Sequence, residues 1–392
     1  MLTMFHSNPA RIVNGNLLVD RKFHLGMLQN VRHIKTPIVS VHPQGQENEP
    51  IFDGVDLPYD QLGYGILTVQ LDSRGRVLPS ELSRMEGQIA VSRLVYGDSM
   101  GSPALCRKAK VPYVMILEYD LKTQVTVTAS QVKSPLRKAV RAVRCAATYA
   151  ATQVNDMRHA HSLHCNGYPI YDESRFFNQN RLLYLDSRMS ADLLIDAAAL
   201  RERCSARIGR PLRLLYSGRY EALKGATHAV RVALECMKLG LEFEMHCYGQ
   251  GSQKGEMQVL AAQSRGNAKI VIHDVIPYPE LAAQARTFDV FVCCHIQADP
   301  SCSYLESFGA GLPIVGFANR MWKRLSQESG VGFVAPMERP DLVARDVQKL
   351  AVDQQVLASM SEKALEFASA HLFERESLRR IDALNTAMNS LS

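Results

Sequence analysis

No stretch of this 392-residue chain is apolar for the roughly 18 to 20 residues that a membrane-spanning helix requires. The first residues, "MLTMFHSNPARIVNG", lack the basic segment followed by an apolar one that marks a secretory leader. The nine cysteines are odd in number, scattered, and never spaced as C-x-x-C, which argues for reduced thiols in a cytosolic setting against a disulfide framework. There is no internal repeat and no low-complexity tract. Nor is there the interleaving of basic and aromatic residues expected of a nucleic-acid surface, so a nucleic-acid partner is not expected. These absences leave a soluble, cytoplasmic protein with an ordinary interior.

What is present fits that frame. A chain of this length exceeds one ordinary core and predicts two domains. The net charge of +6 is a mild excess, compatible with phosphorylated ligands or an anionic membrane face. The second half alternates strand-like and helix-like segments. "LRLLYSG" (212–218), "FEMHCYG" (243–249), "AKIVIHD" (268–274), "FDVFVCC" (288–294) and "LPIVGF" (312–317) read as strands. Helical patterns at 225–240, 254–266 and 279–287 separate the first four. Strands alternating with helices of this length predict βαβ units and a parallel, doubly wound sheet. In the first half, strands are expected at 36–43, 64–71, 91–97 and 111–120, with a helix at 102–110. A long helical stretch follows over 133–160, and "CNGYPIYDESRFF" (165–177) reads as loop.

In an open parallel sheet, ligands collect beyond the C-terminal strand ends. Gly218, Arg219 and Lys224 follow the first strand of the second half. The two cations ahead of a helix are either a diphosphate site or solvated surface charges. Gly249 opens a turn after the next strand, a common feature by itself. Val275, past the third strand, lies in a loop whose main chain either reads a base edge or simply turns. After "FDVFVCC", Ser301, Cys302 and Ser303 lead into a short helix, offering backbone N–H groups that want an acceptor. Glu306 falls in its first turn. It either compensates the helix dipole or accepts the two hydroxyls of a vicinal diol such as a ribose.

Arg219, Lys224 and Glu306, in that order, resemble the donor domain of retaining glycosyltransferase family 4. "GRYEALKG" (218–225) is similar to that family's "GRL…KG", and "ESFGAGLPIV" (306–315) to its "EAMACGLPVV". The resemblance covers roughly residues 160–375. It implies a GT-B fold: two Rossmann-like, doubly wound α/β domains facing across a cleft. The acceptor domain would span 1–190, with its boundary between 170 and 210, and the nucleotide-sugar domain 191–375. The last residues, 376–392, would form a helix packing back on the first domain. By the same resemblance, Arg219 and Lys224 bind the diphosphate and stabilise the departing nucleoside diphosphate. Glu306 holds the ribose and Val275 lies near the base. Retention then requires no protein nucleophile, no metal and no cofactor beyond the nucleotide-sugar donor.

Two departures stand out. Where the family places a first glutamate eight positions before Glu306, this chain has Ala298, and Asp299 beside it is the candidate substitute for touching the sugar. Where many members place a histidine, this chain has Glu118, either a group acting on the acceptor hydroxyl or the sugar, or a polar strand terminus. The stretch 131–161 carries Lys133, Arg137, Lys138, Arg141, Arg144 and Arg158 against Asp156 alone. It is either a solvated helix face or a contact with anionic lipid at the inner face of the cell membrane. "RHAHSLHC" (158–165) invites a metal reading, but its spacing does not place the four groups on one helical face. The function expected is sugar transfer to a saccharide or lipid-linked saccharide in surface (exopolysaccharide) synthesis. The rivals are a non-catalytic nucleotide-sugar sensor or assembly subunit, and an epimerase or phosphorylase on the same fold.

Overall fold

The computed structural model describes residues 1–46, 54–72, 77–97 and 100–391. The chain divides into two compact units. The first comprises residues 1–121, 143–184 and 374–392, and the second residues 122–142 and 185–373.

Among the described residues, ten strands lie in the first unit: β1 (Leu2–Phe5), β2 (Arg11–Val13), β3 (Asn16–Asp20), β4 (Ile38–Pro43), β5 (Gly54–Pro58), β6 (Gly65–Val69), β7 (Leu94–Gly97), β8 (Tyr113–Leu117), β9 (Ser162–Asn166) and β10 (Arg181–Tyr184). Seven of them form a parallel sheet in the order β10-β9-β8-β7-β1-β4-β6. A small antiparallel sheet, β2-β3-β5, lies apart and has no counterpart in the sequence expectations. Its β2–β3 half is a tight hairpin through Asn14 and Gly15, both at positive φ, a local turn signal that the sequence reading passed over, while β5 joins from a distant segment. The C-terminal helix Phe373–Ser390 sets Ile381, Leu384, Ala387 and Met388 into the core formed by Leu2, Met4 and Leu94.

The second unit has β11 (Leu212–Ser217), β12 (Phe243–Tyr248), β13 (Ala268–His273), β14 (Val290–Cys293), β15 (Ile314–Phe317) and β16 (Phe333–Ala335), all parallel, in the order β13-β12-β11-β14-β15-β16. Helices cover the sheet, so β14 and β15 are fully buried apolar runs, whereas β12 alternates buried and half-buried positions. Val230, Ala233 and Val347 from two of those helices meet Leu214, Met245 and Val292 in one core. The strand order reverses between β11 and β14. That switch point leaves a crevice beyond the strand ends, where the loops diverge to opposite faces.

The segment 165–177, expected as loop, is instead the end of β9 followed by a helix, Tyr168–Ser174. Gly167 and Pro169 misled the sequence reading. Gly167 takes the positive φ of 85° needed ahead of the helix, and Pro169 occupies its first turn, where a missing N–H costs nothing. The basic stretch is a helix, Pro135–Thr148, continued through a π-helical turn at Tyr149–Gln153 into Val154–His159.

Candidate active site

The crevice of the second unit is assembled by backbone fit before any charge is placed. Gly218 ends β11 with φ 153° and donates its N–H to the Tyr248 carbonyl at 3.1 Å. Gly249 follows β12 with φ 158°, and a Cβ there would stand 2.0 Å from the Gly218 carbonyl oxygen. The two strand ends can therefore close on one another only as glycines. Tyr220, fully buried, places its hydroxyl 2.7 Å from the carbonyls of both Cys247 and His273, its single proton shared between them. It ties together the ends of β12 and β13 from the loop after β11.

At the switch point, Gly225 adopts φ 64°, and a Cβ there would lie 1.8 Å from the Cys294 carbonyl oxygen. This contact pins the loop after β11 against the end of β14. It leaves Lys224 only 7% exposed. The Lys224 ammonium donates to the Asp299 carboxylate and lies 3.5 Å from Ser301 Oγ, which in turn meets Ser303 Oγ at 2.8 Å. Burial pushes the Asp299 carboxyl up, but the Lys224 ammonium pulls it further down, so it stays ionised. His295, fully buried, has its Nδ1 3.7 Å from Asp299 Oδ1. Burial and the Lys224 charge hold it near 3, hence neutral.

Asp299 thus faces Lys224. The family resemblance placed it one position off the missing acid. The shift, together with a shorter side chain, brings it to the lysine across 75 residues of sequence. The helix start is also partly satisfied from within, since the Ser301 N–H donates to the Asp299 carbonyl at 2.9 Å. Cys302 caps the helix Ser303–Gly309 and is half-buried.

Glu306 sits on that helix with its side chain 10% exposed, and Arg188 Nε donates to its Oε1 at 2.9 Å. Arg219 is exposed beyond β11, its carbonyl accepting from the Tyr216 hydroxyl at 3.1 Å. Val275 stands exposed in the loop between β13 and the helix Tyr278–Ala285. Close to its start, the Tyr248 and His273 rings stack with centroids 4.4 Å apart. Glu118 belongs to the first unit, exposed just past β8. The histidines of 158–165 separate. His159 is exposed on a helix and bonded to the Asn155 carbonyl, whereas His164 is buried in β9 beside the Tyr96 hydroxyl.

The structure therefore gathers Gly218, Gly249, Lys224, Asp299, Ser301 and Ser303 by contact and places Arg219, Val275 and Glu306 on neighbouring elements of the same unit. Sequence reasoning missed Arg188, Tyr220 and His295. Tyr220 and His295 flank the motifs and become informative only once the strand ends meet. Arg188 lies in the region read as linker and carried no local signal.

Residues 202–367 match the family model "Glycosyl transferases group 1". Over 120 residues the chain is 26% identical to a 2-deoxystreptamine glucosyltransferase of Streptomyces kanamyceticus, a match covering 30% of this chain and 31% of that enzyme. Among solved structures, Anabaena HepE in complex with UDP is similar with a TM-score of 0.66 at 12% identity, covering 98% of this chain and all of the other. WaaG, a glycosyltransferase involved in lipopolysaccharide biosynthesis, is similar with a TM-score of 0.63 at 13% identity, over 97% of this chain and 99% of that one. At such identities the structural likeness speaks for the fold, which is GT-B with two Rossmann-like α/β sheets. Arg219, Lys224 and Glu306 all lie within the segment that matches the glycosyl transferases group 1 family.

Proposed function

We propose that this chain is a retaining, metal-independent glycosyltransferase that moves a sugar from a nucleoside diphosphate sugar to a saccharide or lipid-linked saccharide in surface polysaccharide synthesis. The observation that carries this reading is the buried Lys224 at the switch point, fixed by Gly225 and flanked by the exposed Arg219. Departure of a nucleoside diphosphate develops negative charge on the bridging oxygen. Cations already held in place stabilise that charge more than they stabilise the bound donor, so they raise turnover as well as affinity. In the free protein Lys224 is neutralised by Asp299. The entering diphosphate then becomes its second anionic partner, with Arg219 supplying the additional positive charge. Because two cations do this work, the mechanism needs no metal.

Glu306 serves as the ribose ligand and Val275 lines the base. The relative that binds UDP makes a uridine nucleotide the first donor to test. On the acceptor side, Glu118 is the proposed group acting on the incoming hydroxyl. The acceptor would be presented at the membrane by the helix Pro135–Thr148. Its Leu136, Val140 and Val143 are 75%, 60% and 70% exposed along one stripe, flanked by Arg137, Lys138, Arg141 and Arg144. Such a helix suits an anionic lipid surface, where apolar side chains insert and cations pair with headgroups. Binding to phosphatidylglycerol vesicles should disappear on charge reversal of Arg137, Arg141 and Arg144. Unchanged binding rules out this helix as the contact.

The decisive experiment combines thermal shift with UDP, GDP and ADP and time-dependent release of nucleoside diphosphate from the matching sugars. A nucleotide at 100 times its dissociation constant stabilises by about 2.7 kcal/mol. Lys224→Ala and Glu306→Ala should blunt that shift. If they respond as the wild type does, the site is elsewhere. A second reading, a non-catalytic nucleotide-sugar sensor, is favoured by Ala298 and by the engagement of Asp299 with Lys224. Binding without any release of nucleoside diphosphate, with the true donor supplied, would establish it.

A further inference from the structure

Arg188 is the least expected feature of the second unit. The segment around it is docked onto the helix that carries Glu306 by three independent contacts. The Ile195 N–H donates to the Gly309 carbonyl at 2.9 Å. Met189 packs so closely on Gly309 that a Cβ there would stand 2.5 Å from the Met189 methyl carbon. Arg188 Nε donates to Glu306 Oε1 at 2.9 Å across 118 residues of sequence. The same C-terminal end of the helix is also fixed by Arg203, whose guanidinium donates to the carbonyls of Ala310 and Gly311 at 2.7 and 2.6 Å. The Arg188 guanidinium also lies 4.3 Å from the centroid of the Tyr278 ring, just beyond the Val275 loop. The Tyr278 hydroxyl is buried and has no hydrogen-bond partner among the described residues.

Building on the reading of Glu306 as ribose ligand, we propose that Arg188 is a positioning residue for the nucleoside end of the donor. It holds Glu306 aimed, with Oε2 left for the sugar hydroxyls, and ties that acid to the loop after β13. Three physical points support this. A carboxylate offers about four lone-pair sites, so one bond from Arg188 leaves enough for a vicinal diol. The contact also fixes where the carboxylate points, so it need not be reoriented when the nucleotide binds. A lone carboxylate near a diphosphate would also repel it, whereas the Arg188–Glu306 pair is close to neutral. Met189 packs directly on Gly309, so a side chain at 309 would force the Met189 side chain to shift.

The test compares binding of UDP with binding of 2′-deoxy-UDP in the wild type, Arg188→Lys and Arg188→Gln, with melting temperature and circular dichroism recorded for each. If GDP or ADP is the nucleotide that binds, its own deoxy pair is used. The wild type should lose about tenfold or more in affinity when the 2′-hydroxyl is removed, the usual loss for a hydrogen bond to a charged group. In Arg188→Gln that ratio should fall towards one and the donor KM should rise. Its kcat should stay within about threefold, since the ribose contact is equal in the ground and transition states. Arg188→Lys, which keeps the charge and the fold but not the fork, should recover part of the ratio. An unchanged ratio in folded Arg188→Lys and Arg188→Gln overturns the inference while leaving the donor site standing. A wild type that binds no nucleotide, or binds without regard to the 2′-hydroxyl, removes the Glu306 assignment and the inference with it.

Discussion

The two parallel sheets share one winding and differ in chemistry. Counted from the first strand of each, both run 3-2-1-4-5-6, with a seventh strand added in the first unit. At the second sheet's edge the polar groups are charged and paired, Lys224 with Asp299 and Arg188 with Glu306. In the first sheet the buried polar groups are largely neutral. His6 and His42 lie at the ends of β1 and β4, stacked with centroids 5.0 Å apart, and His164 lies in β9. His42 is bonded on both nitrogens, to the Asn8 carbonyl at 2.9 Å and to Ser40 Oγ at 2.8 Å. Topology fixes where a ligand can sit, while the side chains at that edge fix what it can be. A charged, paired edge suits a diphosphate.

The largest expected effect lies on the charged edge. Lys224→Ala should lower kcat by about 10²- to 10³-fold, as loss of a preorganised transition-state donor does. It should also destabilise the second unit by about 3–5 kcal/mol, because Asp299 is left buried without its counter-ion. Lys224→Met combined with Asp299→Leu should restore the melting temperature and not the turnover. A fully stable Lys224→Ala protein would mean that the pair is solvated and the contrast between the edges is overstated.

The next effect separates the units by pH. Burial, with His42 and Arg380 adding to it, holds His6 well below its ordinary 6.5. Burial holds His42 at about 4 and His164 at about 3. Each is neutral when folded and takes a proton near 6.5 when unfolded. Their stabilisation is therefore complete above about 6.5 and is lost as pH falls towards the folded values, by up to about 1.4 kcal/mol per pH unit for each. In the second unit His295 is held near 3, while burial lowers His228, His246 and His273 by less. Calorimetry between pH 7 and 4.5 should show the first unit's transition dropping more steeply. Parallel shifts of both transitions would break the comparison.

The smallest effect is at Glu118, exposed at the first sheet's edge. Glu118→Gln should lower kcat by roughly tenfold as loss of a modest general base would, with donor binding and melting temperature unchanged. Unchanged turnover reduces Glu118 to a strand terminus.

Legibility in the sequence tracked locality. The helices and strands of 212–317 were visible because β14 and β15 are apolar throughout, β12 is apolar at alternate positions, and the intervening helices keep their own period. Lys224 and Glu306 were visible because each sits in a short motif at a strand end. The partners of both were not. Asp299 was recognised as a candidate but assigned to the sugar, because nothing in a one-position shift says where a shorter carboxylate will reach. Arg188 was passed over entirely.

The sequence by itself determined the α/β alternation, the switch-point glycines and the order of the charged residues along the chain, all set by backbone geometry and local burial. Only the tertiary structure decided that Lys224 meets Asp299, that Arg188 meets Glu306, and that His6 meets His42. Those pairings join residues separated by 75, 118 and 36 positions, and sequence spacing carries no information on them until parallel strands bring their ends to one edge.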